Sequence, residues 1–300
     1  MAENVKCYVC LSDSYVTVYK SPLKKRRTTS TYTISESSLM PPERIVKCAE
    51  CGFIYANPRI DARRVLEAYK KMKDESYVLE EKGRRSSSRK ILKILEKFKI
   101  KGNKLLDVGC STGFLLDEAR KMRWDVTGVE LSTWAAGYAR EKFGLKVYNT
   151  SLKKIKMADN SFDVVILKDT IEHVLDPRAL LLEIRRILKP GGILYVNTPD
   201  IESNSSRLLR AKWWGINQFH LCYFSKRTLI DLLAFTGFAT CKCIAHTRTF
   251  SFGYWVKRFE SYNKIIHKIL VVISKNLGLS DRLFTVNLWD QIGIFARRDY

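Results

Sequence analysis

The stretch LLDVGCSTGFLL, residues 105–116, joins two apolar runs through a turn of small residues. Gly109 and Gly113 lack side chains, so the backbone N–H groups of the turn can approach a bound ligand closely. A helix that begins after the turn would point its positive end at the same ligand. Ser111 and Thr112 stand where a dinucleotide fingerprint needs glycine, so the turn disfavours a diphosphate as the ligand.

A carboxylate follows the next apolar run. Glu130 ends VTGVE, 23 residues after Asp107, and a carboxylate at such a strand end accepts hydrogen bonds from both hydroxyls of a ribose. A nucleoside with a compact, partly cationic substituent satisfies the turn and the carboxylate together. The alternative is that Glu130 is a solvated strand-end acid and that the two glycines only form a tight turn.

Four of the eight cysteines form two Cys-x-x-Cys pairs, Cys7/Cys10 and Cys48/Cys51. Two such pairs complete a tetrahedral Zn²⁺ site, which would stabilise a small module with little core of its own. The site would be structural, because four thiolates leave no open position on the metal. The alternative is four reduced cysteines without metal. A polar, basic stretch, SPLKKRRTTSTYT, lies between the pairs and is predicted to be a loop.

Helical and strand periods alternate from about residue 89 onward. The predicted strands are KLLDVG, DVTGVE, LKVYN, FDVVILK and GILYVNTP, and the predicted helices are RKILKILEKF, the segment from Gly113 to about Met122, TWAAGYAREKFG and ALLLEIRRILK. This alternation predicts an α/β fold with a parallel sheet and helices on both faces. Such sheets bind ligands beyond the carboxyl ends of their strands, where the quoted turn lies.

Four segments together resemble the class I S-adenosylmethionine-dependent methyltransferases: LLDVGCSTG, VTGVELS, FDVVILKDTIEHVLDP and ILKPGGILYVNTPD. The likeness covers about residues 88–200. The N-terminal CYVC and the later VKCAECGFIYANPR resemble the branch that carries a zinc-ribbon-like extension. The resemblance implies a Rossmann-like sheet of seven strands whose last strand is antiparallel, with DQIGIFARR as the seventh strand, plus a small N-terminal zinc-ribbon-like module.

These features predict a zinc-ribbon-like module at 1–60, a helical linker at 61–88 and a methyltransferase domain at 89–300. An amphipathic helical insertion is predicted within that domain at about 250–280. The linker ends in EEKGRRSSSRK, whose composition is typical of a solvated segment.

The resemblance also implies S-adenosyl-L-methionine (SAM) as the cofactor. Asp107, Gly109 and Gly113 would line its methionine part, Glu130 would bind its ribose, and Leu131 would flank its adenine. The other predicted cofactor-binding residues are Cys110, Ser151, Leu152 and Lys168. Many members place an acidic residue after the third strand to meet the adenine amine, whereas NTSLKKI offers hydroxyl or backbone groups there.

Candidate catalytic residues follow the fourth strand, at the end that should face the transferred methyl group. His173, in LKDTIEHVLDP, is the predicted general base because the ordinary pKa of histidine lies near neutrality. The structural alternative is that the pair Glu172 and His173 only fixes the loop. His220, in WWGINQFHLCYFS, is the second candidate, either in an acceptor-pocket wall or as a satisfied histidine in a packed lid.

The formal net charge of +22 is concentrated in the first and last hundred residues. Before the final strand, apolar residues recur every three or four positions with basic residues between them, which predicts an amphipathic basic helix. The apolar set is Trp255, Phe259, Tyr262, Ile266, Ile269 and Ile273, and the basic set is Lys257, Arg258, Lys264, Lys268 and Lys275. The helix could be a core-packed lid or dimer surface, an interfacial helix on an anionic membrane, or a nucleic-acid groove.

The favoured function is in-line O-methylation of a small molecule, a sugar or a lipid-linked glycan. No Asn-Pro-Pro-aromatic segment follows the fourth strand, which disfavours a base or amide nitrogen as the acceptor. One alternative is an RNA methyltransferase whose ribbon, KKRR stretch and tail bind phosphates, and the other is a non-catalytic cofactor-binding protein. The apolar runs are too short for a membrane span and the N-terminus lacks a signal core. A cytoplasmic protein is therefore predicted, with peripheral contact at the inner membrane face if the tail helix is interfacial.

Overall fold

The computed structural model describes residues 2–20, 44–60, 62–217, 219–260 and 263–299. The strands are β1 (Ala2–Glu3), β2 (Tyr15–Lys20), β3 (Arg44–Cys48), β4 (Ile54–Ala56), β5 (Arg59–Ile60), β6 (Lys104–Val108), β7 (Asp125–Val129), β8 (Val147–Tyr148), β9 (Phe162–Lys168), β10 (Leu188–Pro199), β11 (Cys222–Tyr223), β12 (Phe238–Ala245), β13 (Arg248–Ser251), β14 (Leu283–Val286) and β15 (Gln291–Arg298). The α-helices are α1 (Ala62–Lys71), α2 (Glu75–Leu79), α3 (Glu81–Leu95), α4 (Phe114–Lys121), α5 (Thr133–Phe143), α6 (Leu152–Ile155), α7 (Pro177–Ile187), α8 (Asn204–Leu209), α9 (Lys226–Phe235), α10 (Phe252–Phe259) and α11 (Lys264–Asn276). Short 3-10 turns cover Glu96–Phe98, Ile171–His173 and Arg210–Lys212.

The central sheet has seven strands in the order β12-β15-β10-β9-β6-β7-β8. Strand β15 runs antiparallel to both of its neighbours, and the pairs among β10, β9, β6, β7 and β8 are parallel. The predicted Rossmann-like sheet is therefore confirmed, including DQIGIFARR as the antiparallel strand.

Hydrophobic layers cover both faces of this sheet. Successive residues of β9 alternate between the two layers, because neighbouring side chains of a strand point to opposite faces. Val165 packs in the layer that contains Leu181 of α7 and Leu232 of α9, while Val164 packs in the layer that contains Leu92 of α3 and Leu116 of α4. The predicted arrangement of helices on both faces is confirmed.

The N-terminal module shares a sheet with the rest of the chain. Its strands form the order β11-β4-β3-β2, in which β11 comes from the loop that follows the central sheet's β10. Cys222 pairs with Tyr55 across β11 and β4, and Phe53 contacts Phe224 with ring centroids 5.1 Å apart. The module is thus joined to the segment that carries His220. The basic stretch SPLKKRRTTSTYT overlaps residues 21–43, which lie outside the described residues.

The segment EEKGRRSSSRK belongs to α3, so its interpretation as solvated was wrong. Ser87 and Ser88 are buried, and Ser87 Oγ accepts a hydrogen bond from the backbone N–H of Thr249 at 3.2 Å. Small residues at these positions let another backbone pack closely against the helix. Arg85 pairs with Asp117 of α4 at 2.6 Å. Helix α3 crosses residue 88, and the domain limits at 60 and 88 stay predictions.

The tail forms two helices, α10 and α11, where the sequence predicted one. Helix α11 buries Ser274, while Ile265, Ile269, Val272 and Leu277 are each more than half exposed. Tyr262 of the predicted apolar stripe lies outside the described residues. Among the helices that the structure describes, none combines the length and the apolar character needed to cross a membrane.

Candidate active site

A cavity of about 930 Å³ opens beyond the carboxyl ends of β6, β7 and β9. Its lining includes most of the predicted site residues, namely Gly109, Glu130, Leu131, Ser151, Leu152, Lys168, His173 and His220. These residues come from well-separated parts of the sequence, and the parallel sheet brings them to one edge.

The turn after β6 has the conformation that its glycines allow. Gly109 has φ +81°, and a Cβ there would lie 2.5 Å from Oγ1 of Thr170. Gly113, also at φ +81°, is the N-cap of α4 and packs against Leu145. Gly113 and Cys110 are absent from the cavity wall of the described residues. Cys110 is buried in the core beneath the turn. Cys110 and Gly113 therefore support the conformation of the turn without lining the cavity.

Asp107 is buried at the end of β6, and its Oδ1 has no hydrogen-bond partner among the described residues. Burial raises the pKa of Asp107 to about 7, although the charge of Lys168 opposes the shift. Asp107 itself is absent from the cavity wall that the described residues form, whereas Lys168 and Glu130, which act on its carboxyl electrostatically, line the cavity. An unpaired buried carboxyl oxygen here fits a cationic ligand group such as an ammonium.

Glu130 is held in one orientation by two backbone donors. Its Oε1 accepts from the N–H of Ser132 at 2.7 Å, and its Oε2 accepts from the N–H of Ser111 at 2.9 Å. Burial raises the pKa of Glu130, and these hydrogen bonds oppose the shift. Each oxygen keeps a further lone pair for a ligand hydroxyl, which is the arrangement a ribose requires.

The neighbouring wall is formed by Leu131 and by Thr150, Ser151 and Leu152. Asn149 joins the two strand ends, because its side-chain amide donates to the carbonyl of Leu131 at 2.9 Å. This segment carries no acidic residue, as the sequence showed, and Lys153 and Lys154 line the cavity beside its hydroxyl and apolar groups.

Arg84 is a cavity residue that the sequence analysis missed. Its guanidinium lies 3.5 Å from the ring centroid of Tyr77 and 5.1 Å from that of Phe250. The Nε is buried and has no hydrogen-bond partner among the described residues. The basic pair in EEKGRRSSSRK was the only feature of the sequence that could have indicated this residue. A guanidinium at this position fits an anionic ligand group such as a carboxylate.

At the far end of the cavity lie His173 and His220, whose ring centroids are 4.6 Å apart. Nδ1 of His173 is 3.0 Å from the carbonyl of Phe219 and 2.8 Å from the hydroxyl of Tyr69. Nδ1 of His220 is 2.7 Å from the carbonyl of Gly215. Because a carbonyl only accepts, we assign the proton of each ring to Nδ1, which leaves the lone pair of each ring on Nε2.

Glu172 adds a carboxyl group to this pair of histidines. Its Oε2 accepts from the hydroxyl of Thr198 at 3.0 Å, and its Oε1 lies 4.0 Å from Nε2 of His173. Burial raises the pKa of Glu172 to about 8 and lowers that of His173 to about 4. Burial also lowers the pKa of His220 well below its usual value, so both imidazoles are neutral near pH 7.

Lys168 reaches the cavity with its charge already balanced. Its Nζ lies 3.1 Å from Oδ2 of Asp169, whose Oδ1 accepts from the Gln291 side chain at 2.9 Å. The charge of Asp169 raises the pKa of Lys168 against the effect of burial. The positive charge of Lys168 is therefore neutralised by Asp169 within this pair.

The tail segment forms another part of the cavity wall, next to Arg84. Phe250, Tyr254 and Arg258 line it from β13 and α10, and Trp214 lines it from the loop before β11. Arg248 lies 4.2 Å from the Trp214 ring centroid and is paired with buried Asp290. This part of the wall is therefore largely aromatic.

The four predicted metal ligands also converge. Sγ of Cys7 lies 3.4 Å from Sγ of Cys51, and Sγ of Cys10 lies 3.4 Å from Sγ of Cys48. All four sulfur atoms lie within 4.8 Å of one another. Sulfur atoms around tetrahedral zinc are about 3.8 Å apart, so this donor set fits a structural Zn²⁺.

A family model described as a methyltransferase domain matches residues 79–242, more than half of the chain. The chain belongs to this methyltransferase family. The predicted membership of a methyltransferase family is thereby confirmed.

Two similar relatives are ubiquinone biosynthesis O-methyltransferases. That of Cereibacter sphaeroides is 34% identical over 119 residues, which cover 37% of this chain and 48% of the relative. That of Methylococcus capsulatus is 35% identical over 103 residues, covering 32% of this chain and 44% of the relative. The methyltransferase thus spans about half the length of these relatives.

A solved structure with the same fold is a SAM-dependent methyltransferase from Thermotoga maritima. It aligns with a TM-score of 0.51 and 23% identity, covering 75% of this chain and 94% of that one. At this identity the likeness concerns the fold alone.

Proposed function

We propose that this methyltransferase methylates a hydroxyl oxygen of a small molecule, a sugar or a lipid-linked glycan. The observation that carries the proposal is the pair of neutral histidines at the far end of the cavity that also contains Glu130 and Arg84. The same cavity therefore contains charged groups that suit a nucleoside and an amino acid, and neutral imidazoles that can accept a proton.

SAM fits the polar end of the cavity. Asp107 would meet its ammonium, Arg84 its carboxylate, and Glu130 its ribose hydroxyls. Leu131, Ser151 and Leu152 would enclose its adenine, while Gly109 allows the backbone to approach closely and Lys168 holds Asp169 beside the reacting centre. When bound, SAM supplies a methyl group on a positively charged sulfur.

His173 is the proposed general base, with His220 as the second candidate. The carbonyl of Phe219 fixes the Nδ1 proton of His173, so its Nε2 can take the acceptor's proton. Above its raised pKa of about 8, ionised Glu172 can balance the resulting charge from 4.0 Å away. The aromatic wall of Trp214, Phe250 and Tyr254 excludes water and offers flat surfaces to an acceptor ring.

O-methylation is supported by the two relatives, which are ubiquinone biosynthesis O-methyltransferases. A lipid-linked acceptor is supported by the exposed apolar face of α11, because α10 lines the cavity and packs on α11. Lys264, Lys268 and Lys275 on this helix suit peripheral contact with an anionic membrane from the cytoplasmic side. The Cys7/Cys10/Cys48/Cys51 site would hold structural Zn²⁺.

The test is transfer of a radiolabelled methyl group from SAM into a cell extract, followed by separation of RNA, protein, lipid-soluble and small polar pools. We expect label in the lipid-soluble or small polar pool. His173→Ala should abolish it, while His267→Ala, which changes a histidine outside the cavity, should leave it unchanged. Label in RNA, or no label despite bound SAM, would contradict the proposal.

A further inference from the structure

We propose that Glu172, His173 and His220 form a second metal site, which binds a divalent transition-metal cation with open positions for the acceptor's oxygen. This inference rests on the proposed function, since it concerns the acceptor end of the same cavity. With the cation bound, the two histidines are its ligands and the cation activates the hydroxyl, whereas in the metal-free protein His173 keeps the role of base proposed above.

The first support is the convergence of the donor atoms. One ligand atom from each of the three side chains lies within 4.8 Å of the other two. Donor atoms around a four-coordinate zinc ion are about 3.4 Å apart, so small side-chain rotations close the site. Two imidazoles and one carboxylate, with positions left open, are the donor set of catalytic zinc and non-haem iron sites.

The second support is that each donor is already oriented by another group. The carbonyls of Phe219 and Gly215 hold Nδ1 of the two histidines, which leaves Nε2 of each ring free. The hydroxyl of Thr198 donates to Oε2 of Glu172, which leaves Oε1 free. Metal-binding histidines and carboxylates are oriented by such partners in most metal sites.

The third support is the location of the cluster. All three residues line the cavity, so a ligand can reach a cation bound there. Glu172 and His220 are otherwise almost fully buried, with exposed fractions of 2% and 6%.

Two further contacts connect the cluster to the rest of the fold. The backbone N–H of Leu221 donates to the carbonyl of Glu172 at 2.8 Å, which fixes the His220 loop against the turn that carries His173. The N–H of Ala56 in the N-terminal module donates to the carbonyl of Leu221 at 2.9 Å. The donors are therefore held by the central sheet and by the cysteine module together.

The bound cation would lower the pKa of an acceptor hydroxyl that coordinates it. The hydroxyl proton then leaves to water, the acceptor oxygen forms a bond to the methyl carbon, and the methyl–sulfur bond breaks. The bonding electrons stay on sulfur, which becomes a neutral thioether. No oxidant or reductant is needed.

The experiment is a titration of the metal-free full-length protein with Co²⁺, followed by visible spectroscopy and elemental analysis. We expect two equivalents to bind, one with the intense thiolate-to-cobalt absorption of the cysteine site and one without it. Glu172→Gln and His220→Ala should each lose the second equivalent only. Cys48→Ser should lose the thiolate band only, and His267→Ala should keep both.

Thermal unfolding and SAM affinity are measured for every variant, so that loss of the second equivalent is not mistaken for loss of the fold. Binding of the thiolate-type equivalent alone by the wild type would overturn the metal site. Methyl transfer that is equal before and after removal of the second equivalent would overturn its role while leaving the proposed function intact. Two bound equivalents without methyl transfer to any pool would instead contradict the proposed function.

Discussion

The buried carboxyl of Asp107 gives the most specific test of the cofactor site. In the free protein its pKa is raised from 3.8 to about 7 by burial, and Oδ1 has no partner among the described residues. One pKa unit corresponds to about 1.4 kcal/mol, so ionised Asp107 costs roughly 4 kcal/mol of stability above pH 7. The cost develops between pH 4 and 7, because the unfolded chain releases the proton first.

We therefore expect Asp107→Asn to be more stable than the wild type at pH 8 without SAM, and about equal to it near pH 4. Chemical denaturation at the two pH values measures the difference. The same variant should bind SAM more weakly, since the ammonium loses its carboxylate. Asp163→Asn is the matched control, because Asp163 is also buried but is paired with Lys189 at 2.7 Å.

Binding should also release a proton from Asp107. At pH 6 the carboxyl is mostly protonated in the free protein and should ionise when it meets a cation. Calorimetry of SAM binding in two buffers with different ionisation enthalpies should give nearly one proton released for the wild type and none for Asp107→Asn. Equal proton release by the two proteins, or a variant that is less stable at pH 8, would refute this reasoning.

Other substitutions test the remaining parts of the molecule. Glu130→Ala should weaken SAM binding by about 1–3 kcal/mol, measured by calorimetry, because charged hydrogen bonds to the ribose are lost; unchanged affinity would remove Glu130 from the site. Cys48→Ser should release zinc, which elemental analysis detects. Turnover should fall because β4 of the cysteine module pairs with β11 beside His220, while SAM affinity should be retained. If wild-type protein carries no zinc, the metal module is wrong. Ile269→Glu should reduce sedimentation with anionic vesicles about 10-fold or more, whereas Leu208→Glu, at an exposed leucine of α8, should not; equal loss in both would argue against α11 as the contact.

The central sheet and the nucleoside end of the cavity were predictable because their signals are local in sequence. The turn at Gly109 and the carboxylate of Glu130 each follow directly from an apolar strand, and the parallel topology alone brings them together. The likeness of the quoted segments to class I methyltransferases covers the same elements, so both lines of reasoning led to the same fold.

Features that depend on contacts between distant segments were missed. Arg84 was assigned to a solvated linker, since nothing in its neighbourhood indicates that Phe250 packs on it from 166 positions away. Strand β11 has two residues and no periodicity, so the joining of the cysteine module to the His220 loop could not be predicted. The exposure of α11 depends on what packs against it, which an amphipathic pattern alone does not determine.

We propose above all that one cavity binds SAM and directs its methyl group to an acceptor hydroxyl beside His173. The most direct measurement is methyl transfer from labelled SAM to the lipid-soluble and small polar pools by the wild type and by His173→Ala, with SAM affinity measured for both. We expect label in these pools for the wild type, and a loss of turnover with unchanged SAM affinity for His173→Ala. Equal turnover of the two proteins, or label confined to RNA or protein, would contradict this proposal.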